Sequence, residues 1–410
     1  MLIEKDKLVV RELAKKYMSL VCTPKQERMF ARFRDTNDLK LTRPPLLMDE
    51  IPWYQININQ ELDCVCEDQR ARNVEYYFRK AIFYMTHFKA DNLYEPVFRI
   101  KRAVDSTGIG ISYECKDMKR TDATNNIVSR EFVDVLEDES ALLKMHDPKF
   151  TLRPDKDADS MEFHTDLLGD SIPIMLYGYG YYYYAPWDSI TRLRGVEPIL
   201  MDMYDRPEYL HKIIQKYTSA AHATLDFVEK NLDVNCASQL HCTPSNVSIP
   251  SGATGLGRTW CRSMAQSFGV VSPAFFKEFE IDYLLSVAKR FAYTYYGCCE
   301  PLDDKISVLK SIPNLRKIGC SPWANVEKCA EQIGGDYVLS RKPNPANVAI
   351  CTDREIIRTE IEETVKACLK YGCPCDIVLK DISTVSNRPE NLIIWAQTAS
   401  DVLDKYYGEV

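Results

Sequence analysis

The chain has 410 residues, 45% of them hydrophobic, with 52 Lys and Arg against 59 Asp and Glu for a formal charge of −7. That content supports a sizeable core in one large α/β domain or two ordinary ones, and an acidic balance without a dense Lys/Arg block argues against a nucleic-acid partner. No run approaches the roughly 18–20 apolar residues that span a bilayer, and the start Met1-Leu2-Ile3-Glu4-Lys5-Asp6-Lys7 is charged where a signal peptide needs an apolar core. The expected location is cytoplasmic, with no membrane partner. Fifteen cysteines without compact, even spacing fit that reducing compartment, most of them packing as small hydrophobes.

Residues 1–90 show helical patterns followed by Arg43-Pro44-Pro45 and Ile51-Pro52-Trp53, the profile of an N-terminal helical extension packed on a domain spanning 91–410. From about residue 160 short apolar runs alternate with amphipathic ones. Strands are predicted at Ile172–Tyr177, Cys236–Leu240, the tyrosine run before Cys298, Arg316–Cys320, Tyr337–Ser340 and Asp376–Leu379. Between them, Asp205 and Pro207 open a helix carrying Leu210, Ile213, Ile214, Tyr217 and Ala221 on one face. Ser272-Pro273 opens another, with Phe276, Phe279, Tyr283, Val287 and Phe291 three or four apart. Asp353 caps a third, with Ile357, Ile361, Val365 and Cys368 inward and Gly372 at its end. This βα rhythm, without a Gly-x-Gly-x-x-Gly after the early strands, predicts a (β/α)₈ TIM barrel rather than a doubly wound sheet.

In a barrel the carboxyl ends of the strands meet in one bowl. Those ends hold Tyr177–Tyr184, His241-Cys242, Cys298-Cys299-Glu300, Ser321-Pro322-Trp323, Arg341-Lys342-Pro343-Asn344 and Lys380–Thr384. Zinc takes thiolate, imidazole and carboxylate ligands, so Cys298, Cys299, Glu300 and His241 suffice as a metal set. Successive residues of a strand face opposite ways, so both thiols can ligate only if the chain has turned at Gly297. Otherwise the triplet is a tight turn with a packed Cys pair and a solvent-facing Glu. His241 is a ligand, an acid/base or an imidazole satisfied in the core. Cys373 and Cys375 fall at the entry of the last strand, away from this bowl.

Tyr177, Tyr179 and Tyr181 sit in a glycine-punctuated aromatic tract that either walls a substrate pocket or packs on the N-terminal extension. Trp323 is a further candidate for the bowl. Lys342 and Lys380 follow apolar strands, where a cation can hold a carboxylate or phenolate or polarise an oxygen. Asn344 and Asp381 could orient such groups, and Arg258, in a loop, could meet an anionic substrate group. Catalysis is expected at His241, Lys342, Lys380 and Asp381.

The runs Leu193-Arg194-Gly195, Met201–Glu208, Gly269–Phe279, Gly297–Leu302, Ser321–Ala324, Ser340–Pro345 and Lys380–Val385 resemble the uroporphyrinogen decarboxylase superfamily, in the branch grouped with corrinoid-dependent methyltransferases. The likeness covers roughly residues 160 to 405. It implies a methyltransferase moving a methyl group between a small molecule, with an aromatic methoxy compound one candidate, and a corrinoid carried by a partner protein, assisted by zinc. The branch binds zinc through His-x-Cys at one strand tip and a Cys at the last. Here Tyr296 or Gly297 stands where that His would be, and the last tip reads Lys380-Asp381-Ile382 without a thiol. The Arg-Gln-Ala-Gly-Arg segment of the tetrapyrrole decarboxylases has no counterpart. Two other readings stay open: a metal-free lyase or decarboxylase holding a carboxylated substrate on Arg258, Lys342 and Lys380, and a barrel that binds a ligand without turning it over. A homodimer is also open.

Overall fold

Seven parallel strands organise the computed structural model, which describes residues 3–118, 129–235, 239–350 and 352–408. In chain order they are β1 (Leu46–Met48), β2 (Tyr181–Tyr184), β3 (Trp260–Ser263), β4 (Tyr293–Tyr296), β5 (Leu315–Cys320), β6 (Val338–Arg341) and β7 (Cys375–Leu379). β2 through β7 lie side by side in sequence order, and β1 closes onto β7 with Leu46 opposite Ile377 and Met48 opposite Leu379. A first strand paired with the last is the cyclic order of a barrel. Among the described residues the ring stays open between β1 and β2, so the expected closed eight-strand barrel is corrected to a curled seven-strand sheet.

The physical reason lies in residues 172–184. Ile174–Tyr177, expected as a barrel strand, pairs instead with Phe98–Lys101 in a separate two-stranded sheet. After the Gly178–Gly180 interruption the chain resumes as β2, so Tyr181–Tyr184, expected within a loop-like tip, forms the sheet edge. Of the predicted strand at Cys236–Leu240, Cys236–Ser238 lie outside the described residues, and Gln239–Leu240 forms a small antiparallel hairpin with Thr243–Pro244. The first 90 residues form helices at Glu4–Val21, Pro24–Asn37 and Gln69–His87 and also supply β1, which ties this stretch to the sheet.

The helices follow their sequence signals closely. Pro207–Asn231 buries Leu210, Ile213, Ile214 and Ala221, although the cap position is Arg206 rather than Asp205. Ser272 caps its helix by accepting from the amide of Phe275 at 3.2 Å. That helix widens to a π turn over Lys277–Ile281, which turns Glu280 inward beside Phe279. Asp353 and Gly372, the latter at φ +63°, bound Arg354–Tyr371. Its buried Ile357, Ile361 and Val365 pack with Ile377 and Leu379 of β7 and Leu392 and Trp395 of the last helix. Glu4–Val21 packs Val10, Ala14 and Tyr17 against Val74, Phe78 and Ala81. No helix among the described residues is long and apolar enough to cross a membrane.

Candidate active site

Parallel strands carry their next residues to one edge, and here four chain segments deliver charged or sulfur side chains to it. β1 ends at Asp49-Glu50, β4 at Gly297-Cys298-Cys299 and β7 at Lys380-Asp381, while the hairpin turn after Gln239–Leu240 presents His241 and Cys242. Gly297 adopts φ +98°, and a Cβ there would collide with Leu302 and approach the Gly319 amide nitrogen to 3.2 Å. Only glycine fits this turn, and the turn lets consecutive cysteines converge: Cys299 Sγ lies 3.7 Å from Cys298 Sγ.

Ligand atoms of Glu50, His241 and Cys242 all lie within 4.8 Å of one another. Cys298, buried beside them, hydrogen-bonds with Cys242, Cys299 and His241. Those hydrogen bonds, Cys242 and Cys299 foremost, outweigh burial and hold the Cys298 thiol far below its ordinary range; the Arg262 guanidinium adds to the effect. The thiols of Cys242 and Cys299 are pushed up correspondingly, first by donating to Cys298 and then by burial. Cys298 is therefore the most readily ionised thiol of the three.

Lys380, 3% exposed at its side chain, bridges the cluster. Its Nζ lies 2.7 Å from Asp381 Oδ2, 3.4 Å from Cys299 Sγ and 3.5 Å from Glu50 Oε2. Asp381 Oδ2 also accepts from Cys299 Sγ at 2.9 Å, and its amide donates to Glu50 Oε2 at 2.9 Å. Burial works against the Lys380 charge, but Cys298, Cys242, Cys299 and Glu50 outweigh it and raise the ammonium above its usual range.

Deeper in the curl the sheet's concave face is polar. Tyr183, Arg262, Tyr295 and Lys317 share one register row across β2 to β5. The Arg262 guanidinium stacks 3.8 Å from the Tyr295 ring centroid. Tyr295 Oη lies 2.7 Å from Lys342 Nζ, which donates in turn to Ser340 Oγ at 2.5 Å. Ser340 Oγ donates to Asp376 Oδ1, and Lys317 Nζ pairs with Asp376 Oδ2 at 2.5 Å.

Of the residues singled out in the sequence, His241, Cys298, Cys299, Lys380 and Asp381 meet in one cluster, with Lys342 on the floor beneath. Glu300 turns away from it: Oε2 accepts the Cys298 amide at 2.9 Å, and the buried carboxyl is pushed up to about 7, by burial first and the Cys298 thiolate second. Arg258 is exposed in the turn Gly255–Arg258 before β3, at the opposite end of the strand from the cluster. Trp323 is 70% exposed. Asn344 serves a turn, its amide donating to Glu360 Oε1 at 2.8 Å and its Oδ1 accepting from Ala346. Cys375 opens β7 and so sits at the entry end of that strand.

Tyr177, Tyr179 and Tyr181 line a cavity of about 570 Å³ with Tyr183, Arg99 and Lys101. Tyr183 continues this wall to the cluster, its ring 5.5 Å from that of His241. Sequence reasoning missed Glu50 and Arg262 and gave Cys242 no role. The apolar triplet Leu46-Leu47-Met48 just before Asp49-Glu50 was the available signal for the first.

No protein-family model matches the chain, and no curated protein matches it. Among solved structures, similar chains include a methyltransferase from Methanosarcina mazei, 15% identical over 72% of this chain and 76% of that one, with a TM-score of 0.41.

Proposed function

We propose that this protein is a zinc-assisted methyltransferase that moves a methyl group between a small molecule and a corrinoid carried by a separate protein. The reading starts from the likeness of the C-terminal third to that branch of enzymes, and the observation that carries it further is the convergence of Glu50, His241 and Cys242 within 4.8 Å, with Cys298 interacting with His241 and Cys242 of that set. An imidazole, a carboxylate and thiols, one of them held ionised, form a donor set suited to zinc. His241, Cys242 and Cys298 would hold the ion, with Glu50 or Cys299 as the exchangeable fourth partner. Bound there, zinc supplies Lewis acidity toward the atom that bears the methyl group, or stabilises a thiolate acceptor.

The chain's own groups have separate tasks in this reading. Lys380 places a positive charge beside the thiols and stands ready to neutralise charge left on the demethylated atom. Lys342 fixes the Tyr295 hydroxyl, and Tyr181 and Tyr183 present ring faces to a flat substrate. Asp381 and Glu50 keep Lys380 charged and placed.

The test is elemental analysis of the full chain after equilibration with Zn²⁺, alongside methyl transfer from 4-methoxybenzoate to free cob(I)alamin. Stoichiometric zinc that falls in Cys242→Ser, Cys298→Ser and His241→Ala is expected, with activity abolished by a chelator and restored by Zn²⁺. Protein that takes up no zinc and transfers no methyl group refutes the proposal in favour of a metal-free lyase working through the buried cations, and methyl transfer that survives chelation refutes the role of zinc.

A further inference from the structure

Four cations line the concave face of the sheet, Arg262, Lys317, Lys342 and Lys380, each at most 2% exposed, and Asp376 is the buried carboxylate paired with one of them. Asp376 is already taken by Lys317 and Ser340, and Lys342 is held by Tyr295 and Ser340. Arg262 is different. Nη1 donates to the Ser263 carbonyl at 2.7 Å, but Nε and Nη2 are buried without any hydrogen-bond partner. Two unmatched nitrogens on a buried guanidinium are costly, and buried donors are rarely left so.

The two free nitrogens are adjacent. Nε–H and Nη2–H form one edge of the guanidinium, the fork that receives two oxygens of a carboxylate side by side. Stacking on Tyr295 and the Ser263 bond fix the plane of that fork, so it is preorganised. A lone thiolate offers one acceptor and cannot fill it. Two buried carboxyls lie near, each with one oxygen engaged and one unpartnered, and neither is hydrogen-bonded to Arg262: Glu300 Oε2 accepts the Cys298 amide, and Glu280 Oε1 accepts from Ser263 Oγ and Tyr296 Oη.

We propose that Arg262 is a substrate-anchoring residue, its Nε and Nη2 binding the two oxygens of a carboxylate on the small molecule that enters the bowl beside Tyr183 and the thiol cluster. The assignment deepens the functional reading above by naming the substrate class, and it rests on that reading only for the location of the bowl. The geometry favours an arginine here for its fork: a lysine would supply charge without the paired donors.

The experiment uses the full-length protein as wild type, Arg262→Lys and Arg262→Gln, each checked for an unchanged thermal melt and zinc content. Titration calorimetry compares 4-methoxybenzoate with its neutral isostere 4-methoxybenzamide, and crystals grown in sodium formate report the fork directly. The benzoate should bind wild type at least about 10-fold more tightly than the amide, and both variants should lose about 10- to 100-fold of that affinity. Formate oxygens should appear within hydrogen-bond distance of Nε and Nη2. Equal binding of acid and amide, affinity unaltered by both substitutions, or a fork filled by Glu300 in the crystals overturns the assignment. If wild type holds no zinc yet shows the Arg262-dependent affinity, the methyltransferase reading falls and the anchor stands.

Discussion

Replacing Lys317 by Met tests whether the charged floor beneath the thiols is an integral part of the fold. Lys317 Nζ and Asp376 Oδ2 are 2.5 Å apart with both side chains fully buried. At an effective dielectric of about 20 their attraction is about 7 kcal/mol, offset in large part by the cost of desolvating both ions. Burial pushes Lys317 down from the ordinary lysine range, with Asp376 pulling it back. Burial also opposes ionisation of Asp376, but Lys317, Lys342 and Ser340 prevail and hold its carboxyl below the usual range. Geometry and the surrounding donors favour the ionised pair. Lys317→Met leaves Asp376 with hydroxyls from Ser340 and Thr243 and should lower unfolding stability by about 3–5 kcal/mol at pH 8. The Lys317→Met/Asp376→Leu double variant should recover most of that loss. The sign with pH is fixed. A depressed carboxyl stabilises the fold above its unfolded pKa and loses that contribution as pH falls through the folded value. Without Lys317 the folded carboxyl rises, protonation becomes easy, and the deficit should shrink at pH 5. Urea unfolding at pH 5 and pH 8 measures all three. A single variant within about 1 kcal/mol of wild type, or a double variant no better than the single, would refute the buried ion pair.

Glu300, held at about 7 in the fold, favours the protonated form there, so its contribution to stability is full below pH ~4 and is lost as pH rises toward 7. Glu300→Gln should therefore stabilise the protein at pH 8 by roughly 2–4 kcal/mol and leave it nearly unchanged at pH 4, as read from denaturant midpoints. Gly297→Ala combines a left-handed φ with a collision at Leu302; unfolding should show a loss of about 2 kcal/mol or more, and, on the function proposed above, zinc uptake should fall with it because Cys298 moves. Trp323→Ala and Arg258→Ala, both exposed, should leave stability within about 0.5 kcal/mol and kcat/KM unchanged; a tenfold loss from either would place it in the substrate path.

Periodicity made the C-terminal half legible because those strands are near-continuous apolar runs bounded by caps and glycines. β5 to β7 and the helix Arg354–Tyr371 lie within a residue or two of their predicted positions. The same rule concealed β2 and β3. Tyr181–Tyr184 and Trp260-Cys261-Arg262-Ser263 place a tyrosine or an arginine on the polar concave face, and a strand carrying a buried arginine reads as a loop. β1 was hidden by its three-residue length and by the prolines before it. The cluster was half visible for a related reason. Cys298, Cys299, His241 and Lys380 follow strands that the sequence marks, while Glu50 follows one that it does not. Glu300 misled because an acidic residue beside two thiols suggests a ligand, whereas Gly297 turns the chain so that its carboxylate closes back on the Cys298 amide.

The backbone gives an independent reason to regard this cluster as the working part of the molecule. Glu50, Cys242 and Asp381 all adopt positive φ, at 51°, 65° and 58°, and Gly297 joins them at 98°. For a side chain other than glycine that conformation costs about 1–2 kcal/mol, so stability alone would favour glycine at each of the three. Their side chains instead supply a carboxylate to Lys380, a thiol to Cys298 and a second carboxylate shared by Lys380 and Cys299. Leu39, Asn59, Gln60, Ser386 and Asn387 share positive φ elsewhere, so it is the meeting of three such positions in one place that accords with the function proposed above. Asp381→Gly separates the two demands: it relieves the backbone while removing the partner of Lys380 and Cys299, so Cys299 should change its alkylation rate by iodoacetamide even where the fold is no less stable. A rate equal to that of wild type between pH 6 and 9 would mean that the strained turn serves the fold alone.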